Sequence, residues 1–325
     1  MTPIAAKQRI GQFLADLPTA DPTAIAAHMA PAMHWHGPHP LNDLTGAAAF
    51  TETAWAPLCR AFPDLERRDD IVMAGVWQGA VWVCATGHYA GTFAHDYLDI
   101  PATGALARLR YGEFYRIEND QIAEAYVMWD FLGLMQQSGF NPLPPDDGVP
   151  LFSPAPATGD GLRLDRIDPE AGRQSQQLVE AMIAGLMTFD GSALETMGME
   201  RFWHEKMMWY GPAGIGANRG IKGFQDFHQR PFLVAFPDRK GGTHKCRLAD
   251  GAFFATTGWP SVTATHAGPY LGTPATNRRI GMRVMDWWRR DGDMLRENWV
   301  FIDLPDLFLQ FGVDLFARMR EKSRP

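Results

Sequence analysis

Two kinds of hydrophobic pattern alternate along the chain. Ala5 to Leu17 and Ser175 to Thr188 carry apolar residues at helical spacing with polar faces between them, predicting two amphipathic helices. A shorter helical stretch follows each, Pro22 to Met29 and Ser192 to Met197. Strand-like alternation comes next. In the first half it covers Val72 to Thr86, Leu109 to Ile117 and Ala123 to Trp129; in the second, Ala252 to Thr257, Ile280 to Arg289 and Leu295 to Ile302. Each half closes with a short helix that Asp130 or Asp303 is placed to N-cap, a role favoured over catalysis for those two residues.

The order recurs because the sequence does. At a lag of 174, Met33-x-Trp35-x-Gly37-Pro38 meets Met207-x-Trp209-x-Gly211-Pro212, and Ala61-Phe62-Pro63-Asp64 meets Ala235-Phe236-Pro237-Asp238. At a lag of 173, Pro101-Ala102-Thr103 meets Pro274-Ala275-Thr276, and Arg110, Arg116, Glu124, Val127 and Asp130 meet Arg283, Arg289, Glu297, Val300 and Asp303. The expected organisation is one domain over 1–140, a Pro/Gly-rich linker over 141–165, and a second domain over 166–325. In each copy an α+β layer, with a curved and mainly antiparallel sheet folded round the long helix, buries the apolar stripe and leaves a concave interior. Pairing through the outer sheet faces would make the chain an intramolecular pseudo-dimer.

A length of 325 residues suits two domains of about 150. Hydrophobic residues at 46% and charged ones at 21% are ordinary for a folded protein. The net charge of -7, with no basic run longer than Arg289-Arg290, argues against a nucleic-acid partner. Lys7 and Arg9 interrupt the N-terminal apolar stretch, and no apolar run reaches the roughly 20 residues of a membrane helix, so neither export nor membrane insertion is expected. Cys59, Cys84 and Cys246 are too scattered for disulfides or a zinc site, and a cytoplasmic protein with reduced thiols is the expectation. No phosphate-binding loop, dinucleotide fingerprint or nucleophile elbow occurs. His34 and His36 share a strand face, but their repeat partners are Met208 and Tyr210, so no metal set is expected.

The second copy reads GPAGIGANRGIKGF, then AFPD, YLGTPATNRRIGMRVMD and ENWVFIDLPDLFLQFG. With these segments the chain resembles the SnoaL-like polyketide cyclases of the nuclear-transport-factor-like superfamily, over nearly all of both copies and more closely in the second. The resemblance implies two cone-shaped α+β barrel domains. It also implies ring closure by an intramolecular aldol reaction without metal or organic cofactor, using an aspartate three residues before the closing-helix Asp. Those positions hold Val127 and Val300, which transfer no proton. A second family pocket position, a histidine on the preceding strand, falls on Glu113 and Asp286 by ungapped counting from the Pro-Ala-Thr segments. A carboxylate in an apolar cone has its charged form disfavoured, which raises its pKa toward an acid–base range. Glu113 and Asp286 are therefore the candidate catalytic groups. The competing assignment pairs them with Arg110, Arg116, Arg283 or Arg289. Trp35 and Trp209, which stand where the family has a polar pocket residue, are candidate substrate walls, together with Val127 and Val300. So are Tyr115 and Trp288, one member each of the alternating pairs Phe114-Tyr115 and Trp287-Trp288.

Three readings follow. One is a cofactor-free acid–base enzyme, of cyclase, isomerase or dehydratase type, on a hydrophobic carbonyl-bearing small molecule. The second is a binding protein that has lost the family aspartate. The third divides the labour, one copy being active, with Asp286 the better single candidate. A monomer with an internal pseudo-dimer and a homodimer both remain open.

Overall fold

The computed structural model describes every residue except Ala20, Asp190, Ser192, Arg324 and Pro325. The first copy opens with helices α1 (Pro3–Asp16) and α2 (Pro22–Ala27), capped by Thr2 and Asp21. Strands β1 (Met29–His36) and β2 (Asp43–Thr45) follow, then helices α3 (Ala47–Phe50) and α4 (Ala56–Ala61). A π turn, Thr51–Trp55, joins those two helices. Pro57 has no N–H to continue the ladder just beyond it, which explains the local widening. Then come β3 (Glu66–Trp77), β4 (Ala80–Thr92), β5 (Leu106–Glu118), β6 (Gln121–Trp129) and α5 (Phe131–Gln137). The single strand expected over Val72 to Thr86 is thus two, turned at Gln78-Gly79, both with positive φ. Period-two alternation ran through a turn that only the Gly signalled.

The second copy repeats the plan: α6 (Pro169–Leu186), β7 (Trp203–Tyr210), β8 (Ala217–Arg219), α7 (Gly220–Phe224), the π turn Gln225–Gln229 and α8 (Arg230–Ala235). It continues with β9 (Lys240–Gly241), β10 (His244–Asp250), β11 (Phe253–Thr265), β12 (Arg279–Asp291), β13 (Met294–Ile302), α9 (Leu304–Phe311) and α10 (Leu315–Ser323). The short helix expected at Ser192 to Met197 is a 3-10 turn over Leu194–Met197, and Ser192 lies outside the described residues. Strand order is β2-β1-β6-β5-β4-β3 in one sheet and β10-β11-β12-β13-β7-β8 in the other, with β9 also on β11. Among the described strands the β1–β6 and β7–β13 pairs are parallel and the other ladders antiparallel. Neither sheet closes on itself, so the expected barrels are open cones.

Each sheet has two buried faces. One packs on its own helices; the other meets the second sheet. Between the sheets Phe114 and its repeat partner Trp287 touch, with ring centroids 5.1 Å apart. Gly112 allows that approach, since a Cβ there would stand 2.9 Å from the Trp287 ring. The closing aspartates cross the junction symmetrically. Asp130 caps its own helix at Gly133 N–H and accepts Ala213 N–H of the other copy at 3.0 Å; Asp303 caps at Asp306 N–H and accepts His39 N–H at 3.0 Å. Buried Lys7 ties α1 to the second copy through Asp250 (2.7 Å) and the carbonyls of Arg163 and Arg166. Between α5 and α6 the chain forms no helix or strand, yet it is pinned across both sheets. Trp299 donates to Pro154 O, and Val72 donates to Gly161 O. Among the described residues no helix is long and apolar enough to cross a membrane.

Candidate active site

The inner faces of the two cones hold the same positions with opposite results. In the first copy Glu113 lies opposite Val127 on β5 and β6; in the second, Asp286 lies opposite Val300 on β12 and β13. The space around Glu113, Tyr115, Trp35 and Val127 amounts to about 10 Å³, room for at most one water. Around Asp286, Trp209, Trp288 and Val300 it is about 260 Å³, close to the lower end, roughly 300 Å³, of ligand pockets.

Repeat positions explain the difference. Where the first copy places Trp55, Tyr89, Tyr111 and Trp129, the second has Gln229, Val262, Val284 and Ile302. The strand register fixes three of these matches: Tyr89 pairs Leu109 and Tyr111 pairs Trp129, as Val262 pairs Met282 and Val284 pairs Ile302. Large aromatic rings fill one cone, and smaller side chains leave the other hollow.

The same comparison settles the environment of each acid. Arg67 reaches Glu113 Oε2 at 2.8 Å as an ion pair off the hydrogen-bond line, and Tyr89 donates its hydroxyl to Oε1 at 2.7 Å. Arg67 also donates to Tyr89 Oη and Asp69 and lies over the Tyr111 ring. Glu113 is therefore paired, with Arg67 rather than with any of the four arginines weighed from the sequence. Those four hold other partners: Arg116 takes Glu124, Arg283 takes Asp303, Arg289 takes Glu297, and Arg110 donates to Tyr210, Gly211 and Val300 carbonyls.

In the second copy the position of Arg67 is Gly241, since Val262 pairs Gly241 as Tyr89 pairs Arg67. The tyrosine donor is gone too. Among the described residues no Lys, Arg or His forms an ion pair with Asp286; its neighbour is the Asn298 amide, 3.4 Å away, where the first copy has Ala125. Burial without a counter-charge raises the Asp286 carboxyl to about 7, the Asn298 contact pulling weakly the other way. Asp303 is also raised to about 7 by burial and by Asp306, but it is committed to its cap, His39 N–H and Arg283. Geometry, not titration, separates the two: Asp286 lines a cavity.

The remaining lining was not singled out from the sequence. His228, in the second π turn, stacks on Trp209 at 4.2 Å, and burial lowers its pKa to about 3, so it is a neutral imidazole. Its repeat partner is Ala54. Thr256 pairs Asp286 across β11 and β12 and also lines the cavity. The usable signal is the set of positions where the repeats differ, such as Arg67 with Gly241 and Ala125 with Asn298. The rim lies where β9 and β10 part. Pro260 cannot donate to the ladder, and the β11 register shifts between Gly258 and Val262. His36 stacks on Tyr126 and bonds Asp43, and among the described residues no group of three or more His, Cys, Asp or Glu is gathered to hold a metal ion.

Two open α+β cones joined through their sheets, one filled and one hollow, define a duplicated α+β protein with a cavity in its second copy. The chain belongs to the SnoaL-like polyketide cyclase family, whose model matches residues 8–138 and again residues 188–311. No curated protein is detectably similar in sequence. Among solved structures it is similar to AclR, a putative hydroxylase from Streptomyces galilaeus, at 18% identity over 42% of this chain and 97% of that one, with a TM-score of 0.35. It is likewise similar to IdmH, a putative polyketide cyclase from Streptomyces antibioticus, at 17% identity over 41% of this chain and 97% of that one (TM-score 0.34). A putative SnoaL-like polyketide cyclase from Jannaschia sp. CCS1 gives 19% identity over 42% and 94%, with a TM-score of 0.35. At these values the solved structures add nothing about chemistry.

Proposed function

We propose that the second copy is a cofactor-free acid–base site of cyclase, isomerase or dehydratase type, acting on a hydrophobic carbonyl-bearing small molecule, and that the first copy is its filled structural partner. One observation carries this reading: the unpaired Asp286 carboxyl, held near 7, lines a cavity of about 260 Å³. At neutral pH such a group exists in both forms and can take a proton from a carbon next to a carbonyl, then return it elsewhere. His228, a neutral imidazole lining the same cavity, would hydrogen-bond the carbonyl oxygen as charge moves onto it, while Asn298 spends its amide N–H groups on Trp287 O and Asp286. Trp209 and Trp288 form the walls against a flat ligand.

Within this proposal Asp286 takes the work that the family aspartate does elsewhere, from the strand beside it. Val300, facing Asp286 across the ladder, becomes an apolar wall. Glu113 has no catalytic part, because Arg67 and Tyr89 hold it where no ligand fits. For the same reason Trp35, Tyr115 and Val127 drop out as substrate contacts.

Deuterium uptake at the α-carbon of a panel of fused-ring ketones and 1,3-diketones tests the proposal. Wild type and Glu113→Gln should exchange the proton, and Asp286→Asn should not. Tight ligand binding with no exchange by any form would support instead the reading as a binding protein.

A further inference from the structure

We propose that the ligand of the second cavity carries a carboxylate, held at the rim by Arg239 and Lys240 while its hydrophobic body lies between Trp209 and Trp288. This rests on the reading of that cavity as the ligand site and adds the substrate class.

The chain is acidic overall, with a net charge of -7. The cavity reverses that balance: its Lys, Arg, Asp and Glu lining residues are Arg239 and Lys240 at the rim and Asp286 inside. Several enclosed cations of this protein hold a carboxylate: Lys7 holds Asp250, Arg67 holds Glu113, Arg283 holds Asp303 and Arg289 holds Glu297. Arg110 holds none but shares two guanidinium nitrogens among three backbone carbonyls, whereas Arg239 has a single carbonyl partner. Half-buried, it spends one N–H on Leu186 O at 3.1 Å, lies 5.7 Å from the Phe189 ring centroid, and takes no carboxylate partner among the described residues. Lys240, exposed beside it, has none either. A guanidinium has five N–H donors in a planar fork that suits a carboxylate.

The repeat supplies an independent comparison. The residues matching Arg239 and Lys240 in the first copy are Leu65 and Glu66. The cationic pair and the cavity therefore occur in the same copy and are absent from the same copy. The break between β9 and β10 opposite Pro260 sets Lys240, Gly241 and His244 on the rim, so the charges meet whatever enters.

A purely structural role for Arg239 is also defined. Leu186 ends α6, and a cation bonded to a terminal carbonyl caps the helix. Such a cap would cost stability when removed but would treat an acid and its ester alike.

The test compares 2-naphthoate with methyl 2-naphthoate by titration calorimetry, in wild type, Arg239→Gln, Lys240→Gln and the double variant. Wild type should favour the acid by about fivefold or more at low salt. Each single variant should narrow that preference and the double variant should abolish it, with ester affinity unchanged. Raising the salt should weaken only the acid. Lys240→Gln changes an exposed side chain and remains informative if the Arg239 variants fold poorly. Equal affinity for acid and ester in wild type would overturn the inference while leaving the cavity as a ligand site. A preference that survives in the double variant would overturn it too. Binding of neither probe would overturn the inference and count against the site reading beneath it.

Discussion

Replacing Asp286 by Asn should make this protein more stable, and increasingly so as the pH rises. The folded-state pKa of Asp286 is raised from 3.8 to about 7 because its charged form is enclosed without a counter-charge. For an acid shifted in this direction the folded state binds the proton more tightly. The stability so gained is complete below about 4 and is lost as pH rises to about 7, after which the cost of the buried charge is constant. At about 1.4 kcal/mol per pH unit, a shift of roughly three units sets a ceiling near 4 kcal/mol. Asp286 faces a cavity that admits water, so about 2–4 kcal/mol is the working figure. Asn fills nearly the same volume and carries no charge. Melting curves of both proteins from pH 4 to pH 9 should nearly coincide at the acid end, show about two-fifths of the gap by pH 5, and separate by about 4–8 °C at the alkaline end. A variant no more stable than wild type at pH 9, or a gap that does not grow with pH, would refute the reasoning.

The other acids and anchors respond differently. Glu113→Gln leaves Arg67 enclosed with only Asp69 as counter-charge and should cost about 3 kcal/mol in urea unfolding, without lowering turnover of the folded protein. Lys7→Ala strands Asp250 and the Arg163 and Arg166 carbonyls between the copies, with an expected loss of about 3–5 kcal/mol by the same measurement. Val262→Tyr restores the first copy's residue inside the second cavity. It should abolish binding of a fused-ring ketone in calorimetry while the melting temperature holds or rises, and undiminished binding would place the ligand elsewhere.

Much of the architecture was legible because duplication doubles every signal. Trp35 with Trp209, Asp130 with Asp303 and the shared Ala-Phe-Pro-Asp segments mark both copies, and the two sheets carry matching ladders. Local pattern failed at Gln78-Gly79, where hydrophobic alternation continued through a tight turn. Asp286 was reached by counting along one strand, but its lack of a partner depends on Gly241 and Val262, which lie on other strands. Glu113 looked equivalent for the same reason: Arg67 meets it only when β3, β4 and β5 assemble. Lys7 reads as a solvated residue of an amphipathic helix, and only the second copy's Asp250 reveals it as a buried anchor. What escaped was long-range partnering, which identities between the repeats do not encode and differences between them do.

The pH dependence of α-proton exchange, followed by NMR with a fused-ring ketone in deuterated buffer, tests most directly whether the second copy works through Asp286. Proton abstraction requires the carboxylate, so kcat/KM should rise with pH through a midpoint at about 7 and then level off, and the exchange should vanish in Asp286→Asn. A profile flat across this range, or exchange that persists in Asp286→Asn, would contradict an acid–base role for the second copy.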